Sequence, residues 1–136
     1  MKNIKPSDVP THSFDWGVIK WFVTPNQNKD ANLTFGEVIL LPGQGHERHV
    51  HPEAEEVLYV LSGEGKQMID DQQSFTIKAG DVIYIPKAIY HSTYNSSWEP
   101  LRLLAFYNPG GSEQALTQLP DFKEIEAGKV QTFIRE

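Results

Sequence analysis

Two imidazoles one residue apart, His49 and His51, sit in the stretch Gly43-Gln-Gly-His-Glu-Arg-His-Val-His-Pro-Glu-Ala-Glu-Glu56. The segment reads as extended, and alternate side chains of an extended chain share a face, so both rings can reach one point. A metal ion is the simplest partner that uses two neutral imidazole nitrogens together with a nearby carboxylate. Glu55 and Glu56 are both at hand, and strand parity turns them to opposite faces. Glu56 opens the apolar run Val57-Leu-Tyr-Val-Leu61, and a turn at Pro52-Glu-Ala54 would set it on a strand beside the one carrying the His pair. Further on, Gly80-Asp-Val-Ile-Tyr-Ile-Pro86 reads as another buried strand, and His91 follows its closing turn as a third imidazole. Three imidazoles and a carboxylate suit a divalent transition metal with positions left for water or substrate. Buried together without an ion, they would cost several kcal/mol in unpaired polar groups.

The other reactive side chains carry weaker spacing. His46 and Glu47 precede the His pair and are expected at the solvent-facing rim, and His12 has no partner and reads as a surface residue. Arg48 and Lys87 flank turns and read as solvated charges, though either has the chemistry to hold a carboxylate. Gln67 is a candidate polar group in the mouth of the fold. No residue is marked as a general base by its spacing; the nearest candidates are Glu47 and Tyr94. The aromatics Trp21, Phe35, Tyr59, Tyr84, Phe106 and Tyr107 are read as core packing.

Short β-rich runs must position these groups: 16–24, 31–41, 56–61, 66–70, 74–77, 81–85, 92–94 and 101–107. Turn chemistry separates them, as in Pro42-Gly-Gln-Gly45, Ser62-Gly-Glu-Gly65, Ala79-Gly-Asp81 and Asn108-Pro-Gly-Gly111. Eight such runs point to an all-β sandwich or barrel. Residues 112–119 could form two helical turns capped by Ser112 and stopped by Pro120. The polar segment 121–136 reads as a tail that packs either on its own barrel or on a neighbouring subunit.

With 136 residues the chain is the size of one domain built on one hydrophobic core. A net charge of −6, with twelve basic residues scattered along the sequence, argues against nucleic acid or an anionic membrane surface as partner. The sequence holds no cysteine, which removes disulfides, thiolate metal sites and a cysteine nucleophile and leaves His, Asp and Glu as the ligand pool. The start, Met1-Lys-Asn-Ile-Lys-Pro-Ser-Asp8, lacks the apolar run of a secretory signal, and no stretch approaches the roughly 20 apolar residues of a membrane span. A soluble, cytoplasmic protein is expected.

Two spacings name a resemblance. Gly43, five residues, His49-Val-His51, four residues, Glu56, six residues and Gly63 reproduce the first sequence motif of the cupin superfamily. Gly80, five residues, Pro86, one residue, Ala88, two residues, His91, three residues and Asn95 resemble the second, with Ala88 where the family usually has glycine. The two motifs cover residues 43–95, about two-fifths of the chain. The resemblance implies a double-stranded β-helix, or jelly-roll barrel, as a single cupin domain over residues 1–136, with a short C-terminal helical appendage. It also implies a metal held by His49, His51, Glu56 and His91, the six residues before Gly63 favouring Glu56 over Glu55. Manganese, iron, nickel, zinc and copper are the metals such a centre takes, and small cupins commonly pair as homodimers. The function to expect is metal-dependent isomerisation, dioxygenation or decarboxylation of a small oxygen-rich metabolite, such as a hydroxy acid, keto acid, enediol or sugar derivative. Alternatives are a binding protein that holds such a molecule without turning it over and, less favoured, a metal-free structural protein.

Overall fold

The computed structural model describes residues 2–136. Ten strands form: β1 (Thr11–Phe14), β2 (Gly17–Val23), β3 (Thr34–Leu40), β4 (Glu55–Ser62), β5 (Glu64–Ile69), β6 (Phe75–Lys78), β7 (Val82–Ile85), β8 (His91–Tyr94), β9 (Leu101–Asn108) and β10 (Lys123–Ile125). All pairings are antiparallel, in a seven-stranded sheet ordered β10-β1-β2-β3-β9-β4-β7 and a three-stranded sheet ordered β6-β5-β8. The two sheets enclose one core in a jelly-roll barrel, the all-β architecture the sequence points to.

Alternation along the strands builds that core. On β9, Leu101, Leu103, Ala105 and Tyr107 face inward while Arg102 and Phe106 face out. On β4 the inward row is Glu56, Leu58 and Val60. Leu40, Ile77, Ile85, Leu101 and Leu103 are almost wholly withdrawn from solvent, each worth about 1.5 to 3 kcal/mol of apolar burial. Of the aromatics expected inside, Trp21 and Tyr107 are buried and Phe35 is partly covered. Tyr59, Tyr84 and Phe106 instead point outward from β4, β7 and β9, because strand parity gives them the faces opposite Leu58, Ile83 and Ala105.

Two strands exceed the sequence reading. β1 and β10 are short and polar, and they exist because they pair with each other and β1 pairs with β2. This pairing folds the tail onto its own barrel, where Ser13 Oγ also donates to Gln131 Oε1 at 2.9 Å and the Asp15 amide donates to Asp121 Oδ2 at 2.9 Å. His12 lies on β1 and is half-buried rather than a surface residue, with its ring edge-on to Phe122 at 5.0 Å and its Nε2 3.4 Å from Glu124.

The appendage at 112–118 is a 3-10 segment and not an α-helix, and Gly111, with φ +117°, occupies the cap position expected of Ser112. Glu113 turns inward and supplies what a capping serine would. Its carboxylate accepts from the Gly111 amide at 2.9 Å and from the Thr34 hydroxyl, which ties the segment to β3. That anchoring drops Leu116 against the core.

Behind β7 the turn at Ala88 keeps the left-handed conformation that glycine favours, with φ +60°. The turn brings the Ala88 amide to donate to the His51 carbonyl at 3.0 Å, so it tethers the His segment. A left-handed alanine is strained by roughly 1 to 2 kcal/mol, partly offset by its smaller loss of chain entropy. Ala88→Gly is therefore expected to stabilise the protein by about 0.5 to 1 kcal/mol, read as a raised urea midpoint. A lowered midpoint contradicts this account of the turn.

Candidate metal centre

Glu56 comes from the large sheet, at the end of the inward row of β4, with Tyr107 on β9 and Ile85 on β7 directly across from it. The three imidazoles come from the small-sheet side. His91 opens β8 facing inward, and residues 43–49 lie along the free edge of β8. The sequence suggested that the carboxylate strand lies beside the His segment, but β4 pairs with β7 and β9 while the His segment runs along β8. The centre spans the gap between the two sheets.

The His segment is an irregular edge rather than a strand. It bonds to β8 through Gly45 opposite Tyr94, the His46 amide on the Thr93 carbonyl at 3.3 Å, and reciprocal amide-to-carbonyl bonds between His49 and His91 at 3.0 and 2.9 Å. Three steps from His46 to His49 match only two from Thr93 to His91, so one extra residue is accommodated in a bulge at Glu47 and Arg48. The bulge resets parity and turns His46 inward beside His49. Gly45 permits the approach, because a Cβ there would stand 2.4 Å from Tyr94 Cβ and 2.6 Å from the Thr93 oxygen.

One donor atom from each of His49, His51, Glu56 and His91 lies within 4.8 Å of the other three. Donors on opposite sides of one ion stand about 4.2 Å apart, so the cluster has the span of a coordination sphere. His91 Nε2 is 2.9 Å and His51 Nε2 3.2 Å from Glu56 Oε2, yet none of the three buried atoms has a directed hydrogen bond. For His49 and His91 the other ring nitrogen fixes the tautomer. His49 Nδ1 contacts the Glu47 carbonyl at 2.8 Å and His91 Nδ1 the Ile89 carbonyl at 2.9 Å. A carbonyl only accepts, so both Nδ1 atoms carry the proton and the Nε2 lone pairs are free. A lone pair against a carboxylate oxygen is two acceptors in contact, favourable only with a proton or a cation between them. The donor set fits a divalent cation.

Electrostatics favour an ionised Glu56 beside a neutral His49. Burial alone would raise the Glu56 carboxyl, but the contacts of His51 and His91 outweigh it and hold it at about 2. Burial, reinforced by the His46 and His91 rings, lowers His49 to about 3 and keeps it neutral. Burial also pulls His91 down, but the adjoining Glu56 carboxylate outweighs it and leaves the imidazole above its usual value.

These groups open on a pocket of about 60 Å³, walled by Ile19, Val38, Leu58, Leu103 and Leu116 among others. His46 lines it and is not the solvated rim residue expected. Its ring lies 4.1 Å from that of His49 and 5.4 Å from Trp16, and its buried Nε2 has no partner while Nδ1 contacts the Glu47 carbonyl at 2.9 Å. Tyr107 also lines the pocket, 4.7 Å ring to ring from His51, and burial followed by the Glu56 charge keeps its phenol protonated. Thr93 completes the polar lining, its hydroxyl 2.5 Å from Gln67 Oε1; Gln67 is fully buried behind it.

The weaker candidates fall elsewhere. Tyr94 points outward from β8, and the Glu47 side chain is exposed, so neither lines the pocket. Glu55 is on the outer face, bonded by the Tyr84 hydroxyl and the Asn108 amide, each at 2.9 Å. Arg48 pairs with Asp71 at 3.2 Å and covers Tyr90, and Lys87 is exposed. Asn95, the last position of the second motif, is buried as a clamp whose amide donates to the Leu40 and Glu99 carbonyls. His46, Thr93 and Tyr107 are the polar pocket residues the sequence reading did not place there. A His three before His49 was the available signal, and only the bulge decides its face.

Residues 36–107 match the family profile described as "Cupin domain". The chain is 32% identical over 100 residues to an uncharacterised protein of Methanocaldococcus jannaschii, covering 74% of this chain and 79% of that one. It is 28% identical over 102 residues to a glucose-6-phosphate isomerase of Thermococcus gammatolerans, covering 66% of this chain but 54% of the isomerase. A solved structure concerned with the Mn(II) centres of Bacillus subtilis oxalate decarboxylase superposes with a TM-score of 0.66 at 26% identity, over 79% of this chain and 31% of the decarboxylase.

The charge pattern fixes the sign of the metal-free protein's acid response. His49, lowered to about 3, refuses a proton that the unfolded chain accepts below 6.5, so its effect erodes stability as pH falls from 6.5 to about 3. Glu56, held at about 2, contributes stability that is present above 4.5 and lost as pH falls toward 2. His91, raised, contributes stability that is complete below 6.5 and lost as pH rises through its folded value, so it is constant at low pH. Chelator-treated protein should lose stability most steeply between pH 4.5 and about 3, where the His49 and Glu56 effects coincide. A urea midpoint that is flat across that window contradicts the pattern.

Proposed function

The chain belongs to the cupin-domain family, and from that premise we propose that it is a metal-dependent enzyme acting on a small oxygen-bearing metabolite. The observation that carries the reading is the convergence of His49, His51, Glu56 and His91, with two Nε2 lone pairs and a carboxylate oxygen left for a cation. In the proposal these four hold the ion, and manganese is the first metal to test because the Bacillus subtilis oxalate decarboxylase has Mn(II) centres. Iron, nickel, zinc and copper suit the same donors. Bound there, a divalent metal supplies Lewis acidity to a chelating oxygen ligand.

The chain's own residues do the rest. Glu47 and Ile89 fix the ring orientations of His49 and His91 through their carbonyls. The apolar walls exclude bulk water, which strengthens every charge interaction inside. His46, neutral because burial lowers it, offers an Nε2 lone pair to a proton of the bound molecule. It replaces Glu47 and Tyr94 as the proposed general base. Tyr107, kept protonated, supplies a donor. Isomerisation, dioxygenation and decarboxylation all use these parts; the names of two relatives, a glucose-6-phosphate isomerase and an oxalate decarboxylase, support the first and last.

Elemental analysis of protein purified without added metal tests the reading, followed by a substrate screen with the ion found. About one metal per chain is expected, lost in a His49→Ala, His51→Ala double variant, with turnover proportional to occupancy. Metal retained equally by the double variant overturns the site. Ligand binding without turnover across the screen overturns the enzyme in favour of a binding protein.

A further inference from the structure

The pocket beside the four donors is unusual in what it lacks. Among the described residues, no Lys or Arg lines it. Arg48 is engaged at the surface by Asp71, and Lys87 is exposed. Beyond the four donors the polar lining is His46, Thr93 and Tyr107. The remaining wall is hydrocarbon and the Trp16 ring.

Charge arithmetic then selects the ligand. Three neutral imidazoles, one carboxylate and a divalent cation sum to +1, which a monoanion cancels. A dianion would leave a net negative charge inside an apolar cavity with no cation to pair with it, and buried unpaired charge is expensive. The size also bears on the choice: at about 60 Å³ the pocket suits a small molecule.

Resting on the metal reading above, we propose that the site takes a small monoanionic, bidentate oxygen ligand with a hydrocarbon body. The class is that of a short aliphatic 2-oxo monocarboxylate or an enolised β-dicarbonyl. Dicarboxylates and sugar phosphates, the kinds of molecule its named relatives act on, are selected against. Leu116, which lines the pocket on the segment that Glu113 anchors, occupies a position from which a cation would reverse that preference.

The test is calorimetric binding to the full chain loaded with cobalt(II), using pyruvate, 2-oxobutanoate and oxalate as probes, with cobalt content measured before and after. Pyruvate and oxalate are nearly the same size, but oxalate chelates through two carboxylates and pyruvate through one carboxylate and a ketone oxygen, so each affinity is divided by that ligand's affinity for aqueous cobalt(II). On that scale both 2-oxo acids are expected to bind at least tenfold more tightly than oxalate, and a folded Leu116→Lys variant to shift the ratio at least tenfold toward oxalate. Oxalate matching pyruvate on that scale in cobalt-loaded wild type overturns this inference and leaves the metal centre standing. Failure to take up cobalt overturns the metal centre and the inference with it.

Discussion

Everything at this site follows from one buried oxygen. Glu56 Oε2 ends an inward row that continues with Leu58 and Val60, and two imidazole nitrogens stand 3.2 and 2.9 Å from it. A carboxylate in that position is tolerable only when a positive charge shares the space. Two of the surrounding imidazoles spend their Nδ1 protons on backbone carbonyls and present lone pairs. The fold thus gathers three imidazoles around one buried carboxylate, a donor set that suits a divalent cation.

The barrel holds that arrangement by joining its two sheets at the centre. The large sheet contributes Glu56 and Tyr107 as cross-strand neighbours, and the small sheet contributes His91 with the bulged His segment along its edge. Asn95 fastens the far end of β8 to β3, while the strained Ala88 turn holds the His51 carbonyl. Glu113 anchors the segment that carries Leu116 into the pocket wall. Asn95, Ala88 and Glu113 lie outside the pocket lining and hold the segments that form it.

The set His49, His51, Glu56 and His91 was legible in the sequence because its spacing resembles the two cupin motifs; strand parity separated Glu55 from Glu56, and the motif chose between them. Eight of the ten strands were legible from their β-rich runs and the turn residues between them, though β3 begins at Thr34 and not at Ala31. What could not be read depends on pairing between distant segments. β1 and β10 lack alternation of their own and form on each other. The extra residue at Glu47 and Arg48 shows only against β8, and it moves His46 from the rim into the pocket. Likewise, the 3-10 segment takes its form from Glu113 reaching Thr34, a contact no local signal announces.

The central claim is that one ion sits among these four side chains. Anomalous diffraction at the absorption edge of the metal found in the purified protein tests it most directly. The account predicts a single peak about 2.0 to 2.3 Å from Nε2 of His49, His51 and His91 and from a Glu56 carboxylate oxygen. No peak there, or a peak bound by other side chains, would contradict it.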